Sequence, residues 1–167
     1  LIGAGKTASS FDLLAKIAVG ADVVNAARTM MMALGCIQSL SCNTNMCPTG
    51  IATQDDARGK AIDVPVKGQR VANFQRNTLH SFFELVGSMG LDDPKNLTPA
   101  MIKRRTQNGL MISYGAAIPL LAENALFDTE QLSYPWSIWW QQASSAQFYV
   151  PEGDMLCPPG LKLQHIV

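Results

Sequence analysis

Between Gly35 and Asp55 the chain places three of its four cysteines, Cys36, Cys42 and Cys47, at a C-x5-C-x4-C spacing, with Pro48 directly after the last. An apolar run leads into Cys36 and a polar stretch leaves Cys47. The first thiol is therefore expected at the end of a helix and the other two on a loop that folds back. Soft thiolates grouped this closely suit an iron–sulfur cluster or zinc. Three of them fit a three-iron cluster, or a cluster whose fourth ligand comes from elsewhere. Structural zinc usually shows C-x2-4-C pairs with further Cys or His partners, and neither His80 nor His165 is close in sequence. Free cysteine is also a common small buried hydrophobe. A disulfide is disfavoured by the lack of a secretory leader pattern.

Upstream of this block the pattern is strand, helix, strand, helix. Leu1-Ile2-Gly3-Ala4-Gly5 reads as the end of a buried strand running into a glycine turn. Ser9 or Ser10 is the expected N-cap, Asp12 suits a first helical turn, and Phe11, Leu14, Ile17 and Ala18 repeat at helical spacing. Gly20 closes that helix, and residues 21–25 form a second strand, which completes the βαβ pattern of a parallel sheet. A second helix is expected over residues 28–40, with Met30, Met31 and Met32 as core fillers. Two turns, Gly3-Ala4-Gly5-Lys6 and Asn25-Ala26-Ala27-Arg28, follow the two strands. Such turns can offer backbone N–H groups to a phosphate, although short glycine turns are also common punctuation.

Downstream, residues 56–65 read as a polar connector, and residues 66–89 carry the longest helical pattern. One face of that pattern carries Val71, Phe74, Thr78, Phe82, Leu85 and Met89. His80 and Glu84, four apart on the opposite face, are expected to form a solvent pair. Gly90 ends the helix. Thr98-Pro99 starts a short helix expected to run through Lys103-Arg104-Arg105. From about Gln107, loops and short turns are expected. Trp136, Trp139 and Trp140 either pack the tail down or anchor an interface, and Cys157 offers a distant fourth thiol.

Composition narrows the function classes. With 167 residues the chain holds one ordinary domain, and its 47% hydrophobic and 16% charged content is that of a globular protein. A net charge of +0 and a pI near 6.9 give no electrostatic footprint for nucleic acid or an anionic membrane. No apolar run is long enough for a transmembrane helix, and cytoplasm is the expected location.

Read with its flanks, the cysteine block resembles the FMN-binding glutamate synthase family. Ala33-Leu34-Gly35-Cys36 and Cys47-Pro48-Thr49-Gly50-Ile51-Ala52-Thr53-Gln54-Asp55 carry the likeness most specifically. It extends from about Gly5 to about Arg105 and includes Arg70-Val71-Ala72-Asn73-Phe74. The resemblance implies an α/β fold. Residues 1–57 would be about the last two βα units of a (β/α)8 TIM barrel, and residues 58–167 a mainly helical C-terminal extension. A complete barrel takes about 250 residues, and the chain opens without Met, so it is expected to be the carboxy-terminal piece of a longer polypeptide. The resemblance further implies a [3Fe-4S] cluster on Cys36, Cys42 and Cys47, and FMN phosphate at Gly5, Lys6, Ala27 and Arg28. The sequence departs from the family at Ala27, where some relatives carry Gly, and at Ser9-Ser10, where many carry Thr-Gly. The implied activity is reductive amination of 2-oxoglutarate to glutamate through 2-iminoglutarate, with ammonia drawn from glutamine. Electrons would reach FMN through the cluster from a reductase subunit or ferredoxin. The substrate pocket and proton donors are expected outside this chain, so no catalytic residue is assigned. An N-methylglutamate-synthase-like subunit and a non-catalytic cluster-binding or scaffold fragment are the alternatives.

Overall fold

The computed structural model describes residues 1–117 and 120–146, which fall into two compact units divided between Leu97 and Thr98. The first unit opens with β1 (Ile2–Gly3), α1 (Ser10–Ala18), β2 (Val23–Val24) and α2 (Ala27–Leu34). After the cysteine loop come α3 (Asp56–Gly59) and the long α4 (Val64–Ser88). β1 and β2 pair in parallel, with Ile2 opposite Val23 and Gly3 opposite Val24. Gly3 fits closely there: a Cβ would stand 3.0 Å from the Cβ of Ala21, tighter than ordinary contact. The mixed helix–strand fold with a βαβ unit agrees with the expected α/β class. The strand pair leaves Leu1, Ile2 and Val23 exposed.

α1 is fixed at its start by a capping box. Ser9 Oγ accepts from the Asp12 N–H at 3.2 Å, and the Asp12 carboxylate accepts from the Ser9 N–H at 2.8 Å. Its Leu14 and Ala18 are buried where α1 packs on α4, which contributes Phe82 and Val86 to the same core. Full burial of side chains such as Leu14 and Val86 is worth about 1.5–3 kcal/mol each. Ser10 Oγ adds a hydrogen bond to the Thr78 carbonyl at 3.0 Å. Phe11, placed by its spacing on the apolar stripe of α1, is instead exposed.

Three boundaries differ from the sequence expectation. The second helix ends at Leu34 rather than at residue 40. Gly35 turns left-handed (φ 119°), its N–H returns to the Met32 carbonyl at 3.0 Å, and the Cys36 N–H closes on Met31 at 3.0 Å. This Schellman closure satisfies the terminal carbonyls and stops the helix. The stretch expected as connector contains α3, capped by Asp55, and the first turn of α4, capped by Asp63 with Pro65 in that turn. α4 ends as expected, with Gly90 at φ 76°.

In the second unit the expected helix through Lys103–Arg105 is absent. One 3-10 turn (Pro99–Met101) gives way to extended Ile102, and β3 (Lys103–Arg105) pairs antiparallel with β4 (Met111–Ser113). Cross-strand pairing and the burial of Ile102 outweigh the helical start signal. The hairpin is followed by α5 (Tyr114–Ala117), with Ala117 buried, and by α6 (Trp136–Gln142). Trp136 and Trp139 pack edge to face at 5.0 Å, while Trp140 is exposed.

Candidate functional site

Because β1 and β2 are parallel neighbours, the turns leaving their carboxyl ends start side by side. The Asn25 N–H bonds the Gly3 carbonyl at 2.8 Å, which carries the pairing up to the turns. Open α/β sheets receive ligands at this end. Gly5 (φ 94°) and Lys6 (φ 48°) make the first turn, both exposed, with open space where a Gly5 Cβ would project. Ala27 and Arg28 begin α2, also exposed. Among the described residues no side-chain hydrogen bond caps α2 at Ala26, and its first internal bond is Met30 N–H to the Ala26 carbonyl at 3.2 Å. The N–H groups of the first turn therefore face outward, which favours an anion there. The start of α1 is already closed. Burial raises the Asp12 pKa, but hydrogen bonds from Ala8 and Ser9, with Lys16 nearby, outweigh it and hold the carboxyl below its ordinary value. A second anion at α1 would meet that carboxylate, so α2 is the end suited to phosphate.

A cleft of about 150 Å³ lies beneath these turns, lined in part by Thr7, Asn25, Ala26, Thr29, Gln75 and Thr78. The Thr29 hydroxyl donates to the Thr7 carbonyl and ties α2 to the residue after Lys6. Thr7 is 7% exposed, and its own hydroxyl has no hydrogen-bond partner among the described residues. Sequence reasoning did not single out Thr7 and Thr29. The only signal was their position, each within two residues of a phosphate-type turn.

The cysteine loop is held unequally. Cys36 is half-buried just past the closure of α2, and its Sγ accepts from the Gln38 N–H at 3.4 Å. Cys42 is exposed. Cys47 is buried, with Sγ 3.4 Å from the Thr49 hydroxyl. That contact, and the amides of Ala52, Thr49 and Ile51, bring its thiol from 9.0 down to about 7 against the opposing effect of burial. The Cys47 arm is clamped: Asn45 Oδ1 accepts from the Thr53 hydroxyl at 2.9 Å and the Gln54 N–H at 2.6 Å. Buried Gly50 (φ 75°) lies so close to α3 that a Cβ would fall 2.2 Å from the Arg58 carbonyl oxygen. Residues 37–41 are tied more loosely, by Gln38 Nε2 donating to Met32 Sδ at 3.9 Å and by the Ser41 carbonyl accepting from the Thr44 hydroxyl at 2.9 Å. Gln38 (φ 54°) and Leu40 (φ 57°) are left-handed, and Ile37 and Leu40 are exposed.

Among the described residues no three Cys, His, Asp or Glu side chains are gathered closely enough to hold a metal ion. Cys36, Cys42 and Cys47 are therefore not a closed ligand set in this structure, and Cys157 lies outside the described residues. Their chemistry nevertheless fits an iron–sulfur group. Two of the three sulfurs already accept hydrogen bonds, and one is poised to ionise near neutrality. His80 and Glu84 face solvent as a 3.5 Å pair, as expected. No helix among the described residues is long and apolar enough to cross a membrane.

A parallel βαβ unit whose second helix starts beside the Gly5-Lys6 turn and leads into a three-cysteine loop defines an α/β segment. The chain belongs to the glutamate synthase family: a model of the conserved region in glutamate synthase matches residues 1–92. It is 34% identical over 113 residues to the glutamate synthase large subunit-like protein YerD of Bacillus subtilis, covering 68% of this chain and 22% of that protein. It is 37% identical over 97 residues to the archaeal glutamate synthase [NADPH] of Methanocaldococcus jannaschii, covering 58% of this chain and 19% of that protein. With the ferredoxin-dependent glutamate synthase of Pyropia yezoensis it shares 30% identity over 98 residues, 58% of this chain and 6% of that protein. The chain thus spans about a fifth of the length of the first two relatives. No solved structure matches it.

Proposed function

We propose that the chain is the part of a glutamate-synthase-like flavoprotein that holds the FMN phosphate and an iron–sulfur cluster, within an enzyme that reductively aminates 2-oxoglutarate to glutamate through 2-iminoglutarate. Residues 1–57 would supply the last two βα units of a (β/α)8 barrel. The observation that carries this reading is the uncapped start of α2 beside the Gly5-Lys6 turn, in a chain of this family. Gly5 and Lys6 would present backbone N–H groups and one cation, and Ala27 and Arg28 the first-turn N–H groups and a second cation, to the phosphate. Anchoring the phosphate here fixes where the isoalloxazine ring can reach, which is what a protein contributes to flavin chemistry. Cys36, Cys42 and Cys47 would ligate a [3Fe-4S] cluster. When bound, FMN supplies hydride transfer and the cluster one-electron transfer. The 37–41 segment must move to gather the thiols, and its few ties permit this. Relatives named for NADPH and for ferredoxin support a reductase subunit or a ferredoxin as electron donor.

The test is an iron, sulfide and flavin assay with a visible spectrum on anaerobically purified chain. About three irons per chain, with thiolate-to-iron absorption, and FMN retained are expected. Replacing Cys36, Cys42 or Cys47 by Ser should abolish the iron signal, and Arg28→Glu should weaken FMN binding without changing iron. Full iron content in the Cys42→Ser variant would sink the cluster assignment.

A further inference from the structure

From Cys36 to Gln54 the loop contains no Asp, Glu, Lys, Arg or His. Charge reaches it from α4. A Cβ on Gly35 would stand 2.9 Å from Lys67 Nζ and 3.9 Å from Arg70 Nη1, so two cations three residues apart on one helix face converge on the residue preceding Cys36. Among the described residues neither side chain has a carboxylate partner or a hydrogen bond. The other cation near the loop differs. Arg58, 3.8 Å from Met46 Sδ through Nη2, is matched by Asp55 at 3.5 Å.

Lysine at a helix carboxyl end ordinarily answers the helix dipole, and Lys67 does meet the end of α2. That dipole amounts to only about half a negative charge, against two full positive ones. Like charges held this close repel. An anion next to Cys36 would complete the local balance, and the cysteines are the groups of this otherwise uncharged loop that could supply one when they bind metal.

We infer that Lys67 and Arg70 are positioning residues that supply the counter-charge for the thiolate group built on Cys36 and for the cluster it would hold. This rests on the cluster reading above. Three thiolates around iron and sulfide leave a net negative group, and reduction adds one electron to it without making or breaking a bond. Two adjacent cations therefore favour the reduced form and raise the reduction potential, one of the means by which a protein sets a cluster's potential.

The experiment compares the chain with its Lys67→Gln, Arg70→Gln, double, and charge-keeping Lys67→Arg variants. All are purified anaerobically, assayed for iron and sulfide, and titrated with dithionite in the presence of redox mediators. The expected result is a midpoint shifted negative in each neutral variant, shifted further in the double variant, and restored by Lys67→Arg. Loss of iron in Lys67→Gln with retention in Lys67→Arg also supports the inference, because charge and not shape is then what holds the cluster. If Lys67 serves only as a cap for α2, Lys67→Gln lowers the melting temperature and leaves the potential unchanged, which overturns the inference while the cluster reading stands. Loss of iron in both Lys67 variants overturns it too. Absence of iron from every form, the parent chain included, sinks the cluster reading and this inference with it.

Discussion

The Gly50→Ala substitution tests whether the Cys47 arm is fixed by backbone contact. Gly50 has φ 75°, and left-handed backbone costs a residue with a Cβ about 1–2 kcal/mol. The added methyl would also lie 2.2 Å from the Arg58 carbonyl oxygen and 3.0 Å from its carbon, both main-chain atoms of α3. Neither can rotate away as a side chain would, so relief requires the arm and α3 to separate. Clash and strain together place the expected loss at about 4 kcal/mol, in the rare upper range for single substitutions. For a unit of this size each 1 kcal/mol lowers the melting temperature by roughly 4–8 °C, so a fall of about 20 °C is expected in a thermal melt. Should the arm detach locally instead, the loss appears as faster Cys47 alkylation with little change in melting. Gly68→Ala is the matched control. Gly68 is exposed within α4 with nothing within 4 Å of its Cβ position, so alanine should stabilise by about 0.5–1 kcal/mol. A Gly50→Ala protein with unchanged melting temperature and unchanged Cys47 reactivity would refute the clamp.

Ser9→Ala removes the α1 cap and should cost about 1 kcal/mol in urea unfolding; a double-mutant cycle with Asp12→Asn should show coupling, since the two side chains cap each other. Asp12 titrates below its ordinary 3.8 in the folded chain, so its contribution is present above that value and lost as pH falls through the folded pKa. The stability gap between parent and Asp12→Asn should accordingly close on acidification, and a gap that widens would contradict the assignment. In a variant keeping Cys47 as the sole cysteine, the pH–rate profile for iodoacetamide should have its midpoint near 7, and Thr49→Val should move it upward by removing the leading cause of the shift. Because that thiol is lowered, folded stability should rise between about 7 and 9.0 and fall back as pH drops. With Leu1, Ile2 and Val23 uncovered on a two-stranded sheet, the isolated chain should self-associate at micromolar concentration; a strictly monomeric 18.0 kDa species in light scattering would contradict that.

Where local signals and packing agree, the structure could be read from the residues. Ser9 with Asp12 three positions later is a capping box in sequence and in space, and the apolar period of α4 predicts its burial of Phe82. The two turns of the phosphate reading emerge side by side because a βαβ unit leaves little freedom for the second strand. Sequence reasoning failed where one residue's backbone or a distant pairing decided the outcome. Met, Ala and Leu favour continuing α2, but Gly35 in a left-handed conformation ends it. Thr98-Pro99 starts a turn that Arg104 leaves to pair with Ile112; Asn108-Gly109, a hairpin signal lying between Lys103–Arg105 and Met111–Ser113, could have revealed this. The grouping of the three thiols was not legible either, because spacing limits only how near they can come. Thr7's orphan hydroxyl depends on burial that no local pattern encodes.

The uneven tethering of the cysteine loop has a consequence for engineering. Residues 37–41 form a short bridge between two anchored ends, held by the Ser41 hydroxyl on the Ser39 carbonyl, the Thr44 hydroxyl on the Ser41 carbonyl and a long contact from Gln38 to Met32 Sδ. Lengthening a flexible loop is cheap, about 0.6 kcal/mol for each doubling. A reporter peptide or protease site inserted after Ser39 should therefore be accepted by the scaffold, whereas the same insertion after Cys47 would break the clamp. Cutting such a site would separate Cys36 from Cys42 and Cys47 while α2 and the clamped arm keep their own contacts, a way to test the proposed cluster without replacing any cysteine.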